Sequence, residues 1–184
     1  ERFAGFAGMM AAHFSGRVSH FITLNEPQIV LKLGYADGIH APGKRLSLPE
    51  LVSCWKNLML AHGLSFRAIR NAAPEALIGI ASTGKLCYPH SPADEDAARQ
   101  ETFRLTDADW MFTHPIVLDA VCLGRVKPEA GALRELLYAV MPEEWDTMHA
   151  VPDFIGVNSY NGSEIASGSD GVPVYLPRPQ GFAC

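Results

Sequence analysis

Three continuous apolar runs constrain this chain more than any other feature. Residues 17–24 ("RVSHFITL"), 76–82 ("ALIGIAS") and 153–158 ("DFIGVN") each read as a strand. None alternates cleanly between apolar and polar, so each reads as covered on both faces, as in a parallel α/β sheet. The intervening stretches are long and carry helical spacing, which suits the crossovers that parallel strands require. Each run stops at polar groups: Asn25-Glu26, Ser82-Thr83 and Asn158-Ser159-Tyr160. In parallel α/β folds, chemistry sits at the carboxyl ends of the strands.

The helical stretches can be bounded. Phe3, Phe6, Met10 and Phe14 recur at three- and four-residue steps, which predicts a helix closed by Ser15-Gly16. Glu1 already falls inside that pattern, which points to a start upstream. Ser47 precedes Leu48-Pro49-Glu50 as an N-cap with a capping-box acid, opening a helix that reads to about Ile69. Gly63 interrupts it at a cost of about 1 kcal/mol. Residues 94–115 resume helical spacing, and 116–152 read as shorter helices. Trp55, Trp110 and Trp145 fall in helical segments and read as core. Residues 25–48 and 83–93, rich in Gly and Pro, read as loops, and 159–184 as an irregular tail to a single domain.

Composition narrows the function classes. With 48% hydrophobic and 19% charged residues, the 184-residue chain has the apolar mass for a core. A net charge of −5 without a basic stripe argues against nucleic acid. No run of about eighteen apolar residues argues for a membrane span. Cys54, Cys87, Cys122 and Cys184 show no C-x-x-C spacing and read as reduced thiols, an expectation of a cytoplasmic protein. The seven histidines show no H-E-x-x-H pairing, so no metal is expected, and His62 in "LAHG" reads as a packing residue. Three strands fall short of the eight strands and roughly 250 residues of a closed (β/α)8 barrel. The chain is therefore either a small open sheet or part of something larger.

The quoted motifs carry a resemblance. "FITLNEP", "GYADGIHAPG", "NLMLAHG", "IGIASTGKLCYP" and "DFIGVNSY", in that order, resemble family 1 glycoside hydrolases, which include the β-glucosidases, β-galactosidases and 6-phospho-β-glycosidases. The resemblance runs from about residue 1 to 165. It implies an α/β fold, part of a (β/α)8 TIM barrel covering about strands four to six, and a β-linked glycoside as substrate. It implies no cofactor. The family's second catalytic carboxylate lies in an E-N-G motif on strand seven, which this sequence lacks. "YNGSE" (160–164) has similar letters in another order, and its Glu164 reads as a loop carboxylate.

Glycosidic cleavage in a retaining enzyme needs one carboxylic acid to protonate the leaving oxygen and one carboxylate to attack the anomeric carbon. By the resemblance Glu26 is the acid and later the general base, a role that requires a pKa raised by burial and by a negative partner. Asn25 resembles the asparagine that bonds the sugar 2-hydroxyl, and Tyr160 the tyrosine that orients the nucleophile. Asn158 belongs to the same N-x-Y pattern. Each also has a plainer reading, as a turn residue or a strand-end side chain. Gln28 stands where many relatives have Trp, and Thr83 where they often have Asn. Two rivals remain: another retaining barrel glycosidase of the cellulase type, or a truncated, non-catalytic barrel segment. Such a segment could complete itself with the remainder of a barrel or as a homo-oligomer. On these 184 residues alone, little or no turnover is expected.

Overall fold

A computed structural model describes residues 1–168 and 172–177. In chain order its elements are α1 (Arg2–Phe14), β1 (His20–Asn25), α2 (Pro27–Ile29), a π-helical segment (Val30–Ala36), α3 (Leu48–Ala72), β2 (Leu77–Thr83), β3 (Cys87–Pro89), a 3-10 turn (Pro92–Asp94), α4 (Glu95–Phe103), α5 (Pro115–Leu123), α6 (Ala132–Tyr138), α7 (Pro142–Met148), β4 (Phe154–Asn158), β5 (Ser163–Ser167) and β6 (Pro173–Tyr175). Strands β1, β2 and β4 form one parallel sheet with β2 in the centre. A smaller sheet pairs β3 with β5 in parallel and β5 with β6 antiparallel.

Helix α3 starts where the capping box predicts. The Glu50 carboxylate accepts from the Ser47 N–H at 2.8 Å and from its hydroxyl at 2.6 Å. The helix packs on the sheet through Trp55 and Met59, in a cluster with Ile80, Ile116, Val121 and Met148. Trp55 Nε1 donates to the Ile116 carbonyl at 2.8 Å, so the buried indole keeps a partner. Gly63 is not a defect in α3. A Cβ there would lie 1.8 Å from the Thr147 carbonyl, so α7 can close on α3 only at a glycine. Gly79 on β2 likewise leaves room for the Phe154 ring, which a Cβ would meet at 2.5 Å.

Several expectations need correction. The α1 helix forms, but Phe3 and Phe6 are exposed. Its small face is the inward one, with Ala4 and Ala11 buried and the half-buried Gly8 close to Ala68. Residues 25–48 are not all loop. Pro27 opens α2 at a position that needs no N–H, and a Cβ on Gly34 would meet the Ala41 carbonyl at 2.7 Å, so both residues fit a helix that looked broken. The helical stretch expected over 94–115 ends at Phe103, so Trp110 is buried in irregular backbone. Residues 83–93 contain β3, and the tail contains β5 and β6. Strands β3 and β6 are three residues each and β5 carries one large apolar residue, the fully buried Ile165, so no apolar run marks them and they hold through pairing. Glu164 is therefore a strand residue, and it faces His90 Nδ1 at 2.9 Å. Cys184 lies outside the described residues. Finally, β1 and β4 are not covered on both faces as β2 is: Ile22 on β1 and Ile155 and Val157 on β4 are exposed, with no helix among the described residues packed over them.

Candidate active site at the strand ends

The register brings the three polar strand ends to one side of the sheet. Asn25 pairs with Ala81, and Thr83 pairs with Asn158. The β1–β2 register shifts between Ile22 and Asn25, an irregularity of the kind that re-aims side chains beside functional sites. Glu26 follows with φ 49° and ψ 56°, a left-handed conformation that costs a residue with a Cβ about 1–3 kcal/mol. Its N–H is held by the Ala81 carbonyl at 2.9 Å, and its carbonyl accepts from the Ile29 N–H at 2.9 Å.

From the far side of β2, Asn158 Nδ2 donates to Glu26 Oε1 at 2.6 Å and to Asn25 Oδ1 at 3.2 Å. The Asn158 backbone is tied in turn, since Thr83 Oγ1 donates to its carbonyl at 3.1 Å. Asn25, Glu26 and Asn158 are thus one contact group assembled from β1 and β4. Glu26 and Asn158 are half-buried, and Asn25 is exposed. Tyr160 lies two residues past β4 and is 85% exposed. It lines a hollow of about 250 Å³ together with Thr83, Phe112, Asn158 and Asn161. Glu26 is not part of that lining, and Asn158 is the residue shared by the hollow and the acid. Thr83 is buried, with its hydroxyl committed to the backbone.

Beneath the strand ends lies a layer of buried polar side chains. His62 is fully buried between Thr23 Oγ1 at 2.7 Å and the Ala150 carbonyl at 2.9 Å, and burial pushes its pKa below the ordinary 6.5. Gln28 bonds Ser82 Oγ and the Thr113 carbonyl, and Ser82 Oγ meets His114 Nδ1. Burial lowers the His114 pKa too. Lys85 sits between Asp109 at 2.6 Å and Glu101 at 2.7 Å. Burial works against its charge, but the two carboxylates outweigh burial and hold its pKa above the ordinary value. The sequence placed Ser82 at a polar strand end but gave it no partner, and it gave no sign of His114 at all. Gln28 offered one signal, an amide at a position where the resemblance leads one to expect an aromatic ring.

Comparison with known proteins bears on the family and the fold. The sequence profile of glycosyl hydrolase family 1 matches residues 1–173. A 1,4-β-D-glucan glucohydrolase of Thermotoga neapolitana is 27% identical over 161 residues, covering 87% of this chain and 36% of the relative. β-Glucosidase 25 of Oryza sativa subsp. japonica is 33% identical over 179 residues, covering 87% of this chain and 34% of the relative. The solved structure of a β-glucosidase from Thermotoga maritima in complex with cyclophellitol superposes with a TM-score of 0.74 at 27% identity, covering 96% of this chain and 38% of that one. The chain spans about a third of the length of the curated relatives it matches. The parallel sheet β1–β2–β4 with its helices is thus part of a (β/α)8 barrel.

Proposed function

The chain belongs to glycosyl hydrolase family 1, and from that premise we propose that its strand ends form the acid/base half of a retaining β-glycosidase site. The observation that carries this reading is the 2.6 Å bond from Asn158 Nδ2 to Glu26 Oε1 across the end of β2. It holds the carboxyl group at the carboxyl ends of parallel strands, where barrel enzymes do their chemistry. With Oε1 accepting from Asn158, Oε2 is the oxygen left to carry the proton.

The reaction follows from two carboxyl groups about 5–5.5 Å apart. In the first step a carboxylate nucleophile attacks the anomeric carbon while Glu26 gives its proton to the glycosidic oxygen. The C–O bond breaks, the alcohol leaves, and a covalent glycosyl-enzyme remains. In the second step Glu26, now ionised, takes a proton from water as the water oxygen attacks the same carbon. This frees the sugar and the nucleophile and reprotonates Glu26. Asn25 bonds the sugar 2-hydroxyl, and Tyr160 orients the nucleophile. The substrate class is terminal β-D-glycosides of the β-glucoside type. The ends of β1, β2 and β4 offer no second carboxylate, so the nucleophile comes from a strand beyond this sheet. The partner of this segment is accordingly the rest of a barrel. No helix among the described residues is long and apolar enough to cross a membrane. The free thiols of Cys54, Cys87 and Cys122 support a cytoplasmic setting.

The test compares two proteins. One is this chain alone. The other has residues 1–173 set in place of the stretch they match in the Thermotoga maritima β-glucosidase. With p-nitrophenyl β-D-glucoside, the completed barrel is expected to turn over and the chain alone is not. Glu26-dependent turnover by the chain alone would contradict the missing nucleophile. A folded, completed barrel without activity would contradict the site.

A further inference from the structure

Glu26 has a backbone that its residue type disfavours. Left-handed residues with a Cβ persist where surrounding structure over-determines them. Beyond the bonds at Glu26 itself and the buried Pro27, the turn is held at Gln28, two residues on, which is 1% exposed. Its Nε2 donates to Ser82 Oγ at 2.7 Å and to the Thr113 carbonyl at 3.2 Å, and its Oε1 faces the Thr83 N–H at 3.5 Å. The Thr113 carbonyl can only accept and the Thr83 N–H can only donate, so both fix the same orientation of the amide. Ser82 Oγ receives Gln28 Nε2–H and meets His114 Nδ1 at 2.9 Å, which extends the chain to the start of α5. One amide thus fastens the turn after β1 to the last two residues of β2 and to the entry of α5.

We propose that Gln28 is a positioning residue for Glu26, acting through the buried Gln28–Ser82–His114 chain to hold the acid's turn against the end of β2. The proposal rests on reading Glu26 as the acid. What it adds is the means by which this sequence aims that acid, with hydrogen bonds at a position that does not itself reach substrate. Loss of the amide deprives Ser82 Oγ of one of its two partners and the Thr113 carbonyl and the Thr83 N–H of the Gln28 amide, and lets the Glu26 turn relax, so the 2.6 Å bond from Asn158 loosens.

The side-chain amide protons of Asn158 report that bond in the ligand-free chain by nuclear magnetic resonance, assigned by their disappearance in Asn158→Ala. In the unaltered chain one of them is expected downfield and slow to exchange, and Glu26→Gln should shift it. Gln28→Leu and Ser82→Ala should each return it toward ordinary values and speed its exchange by about tenfold, the change expected when local opening costs one hydrogen bond less. Thr23→Val is the control. It breaks the bond to His62 on the same strand, outside the Gln28 chain, and should lower the melting temperature while leaving the Asn158 signal in place. An unchanged signal in folded Gln28→Leu and Ser82→Ala would overturn the proposal, as would equal loss in Thr23→Val. Should Gln28→Leu not fold, Ser82→Ala decides. Because no substrate is present, a chain with the expected signals that never hydrolyses a glycoside once its barrel is complete would remove the acid assignment and leave the positioning intact.

Discussion

Strand β2 is wrapped on both faces, whereas its neighbour β4 is covered on neither to the same degree. Ile78 and Ile80 are fully buried, while Ile155 and Val157 expose 45% and 61%. The register makes the contrast direct. Ile80 pairs with Ile155, so both face the same side of the sheet, yet only Ile80 lies under the Trp55 and Met59 cluster. Strand β1 is open on the other face instead, where Ile22, paired with Gly79, is exposed. The apolar run of β4 suits a strand with a neighbour beyond it and a helix over it, as a closed barrel supplies. The polar strand ends, by contrast, are already bonded to one another across β2. The strand-end contacts are therefore made in a sheet whose outer strand is open.

The largest test of this contrast is a pair of truncations followed by urea denaturation. Ile80→Ala should cost about 2–5 kcal/mol, as a cavity in a packed core does. Val157→Ala in the same chain should change stability by less than about 0.5 kcal/mol. In a completed barrel the second value should climb toward the first. A large cost for Val157→Ala in the isolated chain would break the comparison.

A middle-sized effect separates the segments that follow the two strands. After β2, Lys85 is clamped by Glu101 and Asp109, and Glu101 also accepts from Tyr175 Oη at 2.7 Å. After β4, Tyr160 stands in solvent. Lys85→Met should cost about 1–3 kcal/mol, between the values for exposed and fully buried pairs. Tyr160→Phe should leave stability within about 0.5 kcal/mol.

The smallest effect is a pH dependence. His62 joins β1, through Thr23, to the segment leading into β4, through Ala150. Burial keeps its imidazole neutral when folded, so its folded pKa lies below the 6.5 of the unfolded chain. The folded state then binds fewer protons. The contribution is fully present above about pH 6.5 and is lost as pH falls through the folded value. His62→Gln should flatten part of the acid limb of a stability–pH curve measured by thermal denaturation. The remaining slope includes His114, which burial shifts the same way.

Much of this was legible in the sequence, for physical reasons. Strand runs such as "ALIGIAS" and the box at Ser47–Glu50 encode local geometry that few alternatives satisfy. The grouping of Asn25, Glu26 and Asn158 followed from parallel strands that all end on one side. What stayed hidden depends on neighbours far away in the chain. Pattern alone could not tell that β4 would lie open, or that Gly34 sits beneath the Ala41 carbonyl inside a π-helical turn. The short strands β3, β5 and β6 take their conformation from each other. Gln28, Ser82 and His114 have no shared motif, and only the fold brings them together.

The most direct test of the account is the leaving-group dependence of Glu26→Ala in the completed barrel. Removing a general acid should lower kcat/KM for phenyl β-D-glucoside, whose leaving group needs a proton, by about a hundred- to ten-thousandfold. For 2,4-dinitrophenyl β-D-glucoside, whose leaving group departs unprotonated, the loss should be far smaller. Equal losses on both substrates, or none on either, would contradict the assignment of Glu26 as the proton donor.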